Sequence, residues 1–377
     1  MIKGKKLMIG LLSLAALTAI AVGCGRKLAA TEDVSLKEAF DGKFLFGSAI
    51  NDRQVAGEDS IGANLVKKHF NTVVAENCMK SEKINPRQGY YNWGPADAFV
   101  KFGEDNGMFV VGHCLVWHSQ LAPWFPVDKE GNFVSADTLR ERMRCYITDV
   151  MTRYKGRVRG WDVVNEAVND DGTYRQTPFY EILGEEYIPY AFELAHQADP
   201  EAELYINDYG MDKPARRQKY LEIIKNLQER GLRIDAVGMQ CHMGMDYPPF
   251  TDFEASIKAF GGLGCKVMLT EWDMSALPTI TQSANISDIM NDPKMANPYP
   301  DGLPQEVADT WNLRMDSVME ICLRNSDIVS RINVWGVSDG DSWKNDFPVP
   351  GRKDYPLAFD RDYNMKPFLS KYLKKGV

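Results

Sequence analysis

Val158-Arg159-Gly160-Trp161-Asp162-Val163-Val164-Asn165-Glu166-Ala167-Val168 is a short apolar run, rich in β-branched residues, that carries an amide and a carboxylate near its end. Just before it, Leu139, Met143, Tyr146, Ile147 and Val150 recur at helical spacing, which predicts an amphipathic helix. The same pairing of strand and helix repeats outward in both directions. Comparable β-rich runs occupy 44–50, 72–78, 108–117, 202–209, 236–243, 266–274 and 332–337. The segments between them are compatible with helices, Tyr220, Ile223, Ile224 and Leu227 giving a second clear case. Eight strands, each followed by a helix-compatible segment, predict an α/β protein built as a single (β/α)8 TIM barrel. Alternation alone equally permits an open doubly wound sheet. No glycine-rich turn follows the first strand, however, so a dinucleotide-binding fold lacks its fingerprint.

In such a barrel the C-terminal ends of the strands build the functional site. Here those ends read Glu76-Asn77-Cys78-Met79-Lys80, Trp117-His118-Ser119-Gln120, Asn165-Glu166, Asn207-Asp208-Tyr209 and Glu271-Trp272-Asp273. His113, Gln240, His242, Trp335 and Trp343 add to the set. A lone strand-end glutamate is usually a solvated end residue, and Trp117 or Trp335 alone reads as core. Polar and aromatic ends on so many strands are hard to explain as packing. The chemistry they suit is glycoside hydrolysis, in which one carboxyl protonates the leaving oxygen and a second meets the oxocarbenium-like carbon. Glu166 and Glu271, on the fourth and seventh strands, are placed to face each other over a sugar.

Composition narrows the partners. The chain has 377 residues with 44% hydrophobic and 25% charged, an ordinary globular balance. A net charge of -8 without a basic stripe argues against a nucleic-acid partner. Aromatic residues reach 11%, including 8 Trp and 16 Tyr. Sugar rings stack on such side chains, although most of these fit a core as well. No pair of histidines has metal-ligand spacing, and neither a metal nor a cofactor is expected.

The N-terminus reads as an address. Lys3, Lys5 and Lys6 precede an apolar run from Leu7 to Val22, followed by Gly23-Cys24. That is the pattern of an export signal. It resembles a bacterial lipoprotein signal, which implies lipidation of Cys24, although Ala21 stands where leucine is commoner. The expectation is a signal at 1–23, a tether at 24–33 and a catalytic barrel at 34–377. The protein would be exported and lipid-anchored in the cell envelope, touching membrane only through that anchor, and monomeric. The other six cysteines follow neither a disulfide framework nor a metal pattern. Paired and free thiols both remain open.

Five motifs make the reading specific. Phe70-Asn71-Thr72-Val73-Val74-Ala75-Glu76-Asn77-Cys78-Met79-Lys80, Gly112-His113-Cys114-Leu115-Val116-Trp117-His118, Trp161-Asp162-Val163-Val164-Asn165-Glu166, Leu269-Thr270-Glu271-Trp272-Asp273 and Trp335-Gly336-Val337-Ser338-Asp339 occur in this order. Together they resemble glycoside hydrolase family 10, the endo-β-1,4-xylanases, from about residue 36 to 372. The resemblance implies Glu166 as acid/base, Glu271 as nucleophile and Asn165 on the sugar 2-hydroxyl. It implies that His242 bonds the nucleophile with Asp273 behind it. Glu76, Asn77 and Lys80 would grip the non-reducing side. His113, Trp117 and Gln240 would line the cleavage position, and Tyr209 would stack the leaving-group sugar. Trp335 and Trp343 would wall the glycone and crowd out the hydroxymethyl group of glucose. The implied substrates are xylan and xylo-oligosaccharides.

Three departures stand out. Trp272 replaces a smaller aliphatic residue and should point away from Glu271 into the barrel–helix layer. Cys114 replaces a common threonine. The stretch 277–304 is long and should lie at the mouth. The rival readings are a β-1,4- or mixed-linkage glucanase on the same barrel and a non-catalytic glycan-binding lipoprotein. The latter should have lost one of Glu166, Glu271, His242 and Asp273, and all four are present.

Overall fold

Strands β1 (Leu45–Ile50), β2 (Thr72–Ala75), β3 (Phe109–Gly112), β4 (Gly160–Asn165), β5 (Glu203–Asp208), β6 (Ala236–Met239), β7 (His242–Met243), β8 (Lys266–Met274) and β9 (Val329–Val334) run parallel in a computed structural model that describes Met1, 34–278 and 296–373. Eight of them close a barrel: β1 to β6 pair in sequence, β6 pairs with β8, β8 with β9, and β9 returns to β1. The two-residue β7 pairs only with the far end of β8, His242 opposite Asp273. The (β/α)8 barrel expected from the alternation is therefore the fold, within a unit spanning Asp33–Val377. The signal, Cys24, the tether and most of the 277–304 stretch lie outside the described residues.

Helices Ser60–His69, Gly94–Asp105, Ala136–Arg153, Tyr187–Ala198, Pro214–Glu229, Phe250–Gly261 and Gln305–Arg324 surround the staves. Helix Ala136–Arg153 buries Leu139, Met143, Tyr146, Ile147 and Val150 against the barrel. It begins where the Ser135 side chain accepts the Thr138 N–H, satisfying one of the orphan donors of its first turn. Strands covered on both faces show almost no exposed residue, as parallel sheets require.

Alternation sorts each stave into an inner and an outer row. Ala49, Val74, Phe109, Val111, Tyr205, Ala236, Met268 and Trp335 pack together inside the barrel. Continuing each inner row upward by two residues leads to Glu76, His113, Asn207 and, two steps on, Gln240. On two staves the row slips. Pairing of β4 with β5 shifts between Asp162 and Val164, and that of β8 with β9 between Leu269 and Trp272. Such bulges re-aim side chains. They let Asp162 and Asn165 both point inward, three apart, and likewise Met268 and Glu271.

The boundaries differ from the sequence reading where chain chemistry breaks the ladder. The 236–243 run splits, because Cys241 adopts a left-handed φ of 62° between β6 and β7. The 108–117 run is a strand only to Gly112, with Val116 bridging Val164. The 332–337 run begins earlier, at Val329, and ends before Trp335. Trp272 does point outward: it is fully buried and meets the edge of Phe368 at 5.8 Å. Cys78, Cys114, Cys241, Cys265 and Cys322 are buried free thiols and Cys145 is an exposed one.

Candidate active site

The strand ends converge on one open cleft of 1110 Å³, lined by every residue to which the family resemblance gives a role except Asp273, which is fully buried. Behind this lining, fully buried, stands Asn207. Its Nδ2 donates to Glu271 Oε1 at 3.0 Å and lies 3.0 Å from the Asn165 side-chain amide, while its oxygen accepts the Thr270 hydroxyl at 2.6 Å. Gln240 Nε2 links the same Asn165 amide, at 3.2 Å, with Glu166 Oε1, at 3.3 Å. The two glutamates are thus tied into one amide network from opposite sides. Gly238 makes room for it: a Cβ there would come within 2.3 Å of Asn207 Oδ1.

Behind Glu271 a charged relay is assembled. His242 Nε2 sits 3.2 Å from Glu271 Oε2 and its Nδ1 sits 2.9 Å from Asp273 Oδ2. Asp273, fully buried, also accepts the Trp343 indole N–H at 2.9 Å and has Lys344 Nζ at 3.4 Å. Burial pulls the imidazole toward neutrality, but Asp273 and Glu271 outweigh it and raise His242 to about 9. Burial likewise pushes Glu271 and Asp273 up. The His242 bond and the field of His113, His242 and Lys80 overcome this for Glu271, as His242, Lys344 and the Trp343 bond do for Asp273. Both carboxyls end below their ordinary values. At neutral pH an imidazolium therefore sits between two carboxylates.

Glu166 closes β4 in a left-handed conformation, φ 58°, which non-glycine residues rarely adopt and which marks functional backbone. Its N–H donates to Asn207 O at 2.9 Å and its carbonyl accepts Arg175 Nε at 3.1 Å.

On one flank Lys80 Nζ donates to Asn77 Oδ1 at 3.0 Å and to Gln120 Oε1 at 2.7 Å, and lies 5.0 Å from the Trp117 ring centre. Asn77 donates to Glu76 at 3.3 Å. Burial lowers Lys80 and raises Glu76, each partly offset by the other's charge. His113 is fixed by Asp162 at 2.9 Å and meets Trp335 edge-on at 5.4 Å. On the opposite flank Tyr209 receives an Arg175 N–H at 2.7 Å and covers the Arg216 guanidinium at 4.3 Å. Among the described residues no group of three or more His, Cys, Asp or Glu is placed to hold a metal ion.

Every lining residue expected from the sequence is brought to the cleft, but Asp170, Lys213, Tyr247 and Lys344 line it too without having been expected, and several residues that hold the lining were missed. Asp162, Gln120, Asn207, Arg175 and Lys344 act on other side chains. Asn207 and Gln120 stand in the strand ends already quoted, but nothing in their spacing tells a supporting amide from a lining one. Arg175 and Lys344 lie in loops with no periodic signal.

A sequence model of the family described as Glycosyl hydrolase family 10 matches residues 35–375. Over 342 residues the chain is 46% identical to an endo-1,4-beta-xylanase A of Xylanibacter ruminicola, covering 90% of this chain and 93% of that one. It is 40% identical to a thermostable celloxylanase of Thermoclostridium stercorarium, covering 89% and 86%. Among solved structures, a GH10 endoxylanase retrieved from a sugarcane soil metagenome superposes with a TM-score of 0.84 at 36% identity, covering 90% of this chain and 98% of that one.

Proposed function

This chain belongs to glycosyl hydrolase family 10 and is a retaining endo-1,4-β-xylanase, and from that premise we propose that Glu166 is its acid/base and Glu271 its nucleophile. The supporting observation is the asymmetric setting of the two carboxyls. Glu271 is buried, bonded to a cationic His242 and held below its ordinary range, which suits attack as an anion. Glu166 faces it from the end of β4 with, among the described residues, only the Gln240 amide hydrogen-bonded to its carboxyl. In the first step Glu271 attacks the anomeric carbon while Glu166 gives a proton to the departing glycosidic oxygen. In the second, Glu166 takes a proton from water, which displaces the sugar from Glu271 and restores the starting configuration.

The remaining residues take the roles their positions suit. Asn165, beside the nucleophile, reaches for the 2-hydroxyl. His242 and Asp273 keep Glu271 ionised and aimed. Glu76, Asn77 and Lys80 hold the glycone, with Trp117 stacked beside Lys80. His113, Gln240, Trp335 and Trp343 frame the cleavage position, and Tyr209 carries the leaving-group sugar. Trp343 is pinned to Asp273 by its indole N–H, so it forms a rigid wall against a hydroxymethyl substituent. This favours xylose over glucose. Xylan is too large to cross a membrane, which agrees with export. Anchoring through a lipidated Cys24 and action as a monomer are the finer parts of this reading.

The test is a product profile. Purified mature protein should release short oligosaccharides from glucuronoxylan and arabinoxylan by internal cleavage, and act far more slowly on carboxymethylcellulose and mixed-linkage glucan. Faster cleavage of carboxymethylcellulose than of xylan would overturn the assignment.

A further inference from the structure

We infer that Arg175, outside the cleft, is a positioning residue that couples the leaving-group sugar on Tyr209 to the proton-donating geometry of Glu166. The inference rests on the roles proposed above for those two residues.

Arg175 follows a short hairpin in which Val168 bridges Tyr174, and its own N–H donates to Ala167 O at 2.8 Å. Its backbone is therefore locked to the chain just after Glu166. From there the guanidinium makes two divergent bonds. Nε donates to the main-chain carbonyl of Glu166 at 3.1 Å, and a terminal nitrogen donates to the Tyr209 hydroxyl at 2.7 Å. A planar guanidinium fixes the relative orientation of two such acceptors, which a lysine ammonium cannot do.

What it fixes at one end is the strained residue itself. Glu166 sits at φ 58°, and among the described residues two main-chain bonds hold it there: its N–H to Asn207 O and its carbonyl from Arg175. A small rotation about that backbone swings the carboxyl away from where a glycosidic oxygen must lie. At the other end stands the Tyr209 ring, with the Arg175 guanidinium carbon 5.5 Å from its centre. Arg216, almost wholly buried, covers one side of Tyr209 at 4.3 Å, and the tyrosine lines the cleft. A sugar stacking on Tyr209 from the cleft presses the ring, the hydroxyl and Arg175 into one arrangement, and with them the Glu166 carbonyl. The acid is in this way set by the sugar whose oxygen it must protonate.

The test reads leaving-group dependence. Arg175→Met should lose about 10- to 100-fold in kcat/KM on xylohexaose. On dinitrophenyl β-xylobioside, whose leaving group needs no proton, the loss should stay within about twofold. A set of aryl β-xylobiosides should show the loss growing as the leaving phenol becomes less acidic. Tyr209→Phe, which keeps the stacking ring, should show a weaker form of the same trend, and the double variant should be no worse than Arg175→Met alone. An equal loss on every substrate would mark Arg175 as a general structural brace and overturn the inference, as would additive effects in the double variant. Should Arg175→Met fail to fold, Arg175→Lys serves: it reaches one acceptor only and should give the same trend, and a wild-type dependence would be equally fatal. Glu166→Ala, run alongside, separates the two claims. If it shows no leaving-group selectivity, the acid/base role falls; if it does and the Arg175 variants do not, only the coupling falls.

Discussion

Glu271 and Asp273 stand two residues apart on β8, and both reach the ring of His242. This small triangle gives the site its pH behaviour. His242 is raised from an ordinary 6.5 to about 9, so the stability it contributes is fully present below about 6.5 and disappears as pH rises through about 9. Glu271 and Asp273 are depressed; their contribution is present above the ordinary carboxylate range and disappears as pH falls through their lowered values. The melting temperature should therefore decline between about pH 6.5 and 9 in the wild type, and less steeply in His242→Gln. Equal slopes would show that His242 is not the titrating group. The roles of the two glutamates separate in a second measurement. Glu166→Ala should keep cleavage of dinitrophenyl glycosides and, with azide, yield a β-glycosyl azide. Glu271→Ala should lose nearly all activity, and any azide rescue should give the α-azide by direct displacement. Product NMR decides, and swapped anomers would reverse the assignment.

At the scale of the element, the staves carry both packing and chemistry at different heights. Low in the barrel, Gly160 leaves space for Tyr205, whose hydroxyl receives an Arg331 N–H at 2.8 Å; a Cβ at Gly160 would meet that hydroxyl at 2.0 Å. High in the barrel, Gly238 leaves space for Asn207, which binds Glu271. Alanine at either position overpacks the interior and should destabilise by about 1–3 kcal/mol. The consequences for turnover should differ. Gly238→Ala displaces the amide that aligns Asn165 and Glu271 and should lower kcat by about 10- to 100-fold. Gly160→Ala should leave kcat within about twofold at a temperature where it stays folded. Calorimetry and initial rates on the two variants check this, and equal losses of kcat would show that the upper layer has no special part in catalysis.

At the scale of the molecule, a barrel closed by β6–β8 and β9–β1 pairing presents all its strand ends on one face. An open cleft there admits a long chain for internal cleavage. No helix among the described residues is long and apolar enough to cross a membrane, and the attachment proposed for this enzyme runs through Cys24. One acyl chain holds a protein only marginally, and bacterial lipoproteins carry several. Cys24→Ser should move the enzyme from the membrane fraction to the soluble one, or leave the precursor unprocessed. Unchanged attachment of a processed Cys24→Ser protein would point to another anchor.

The barrel was legible in the sequence because its signal is local. Each buried stave must be a short apolar run and each helix must show one apolar stripe, as 158–168 and the Leu139–Val150 pattern do. Unlike Tyr247 and Lys344 in the loops, the cleft-lining residues at strand ends, Glu166, Glu271 and their neighbours, were legible too, since they stand within motifs. Their phase was not. Strict alternation cannot turn Asp162 and Asn165 to one side, nor Met268 and Glu271, and the register shifts that do so arise from pairing with neighbouring strands. The supporting contacts were also hidden. Asn207 meets Glu271 across 64 positions of sequence, and Arg175 meets Tyr209 across 34. Local chain chemistry determines which segments become strands and helices and which residues end them. Only closure of the barrel decides which of those ends touch, because a hydrogen bond between distant residues depends on where two backbones lie and not on what lies between them in the chain.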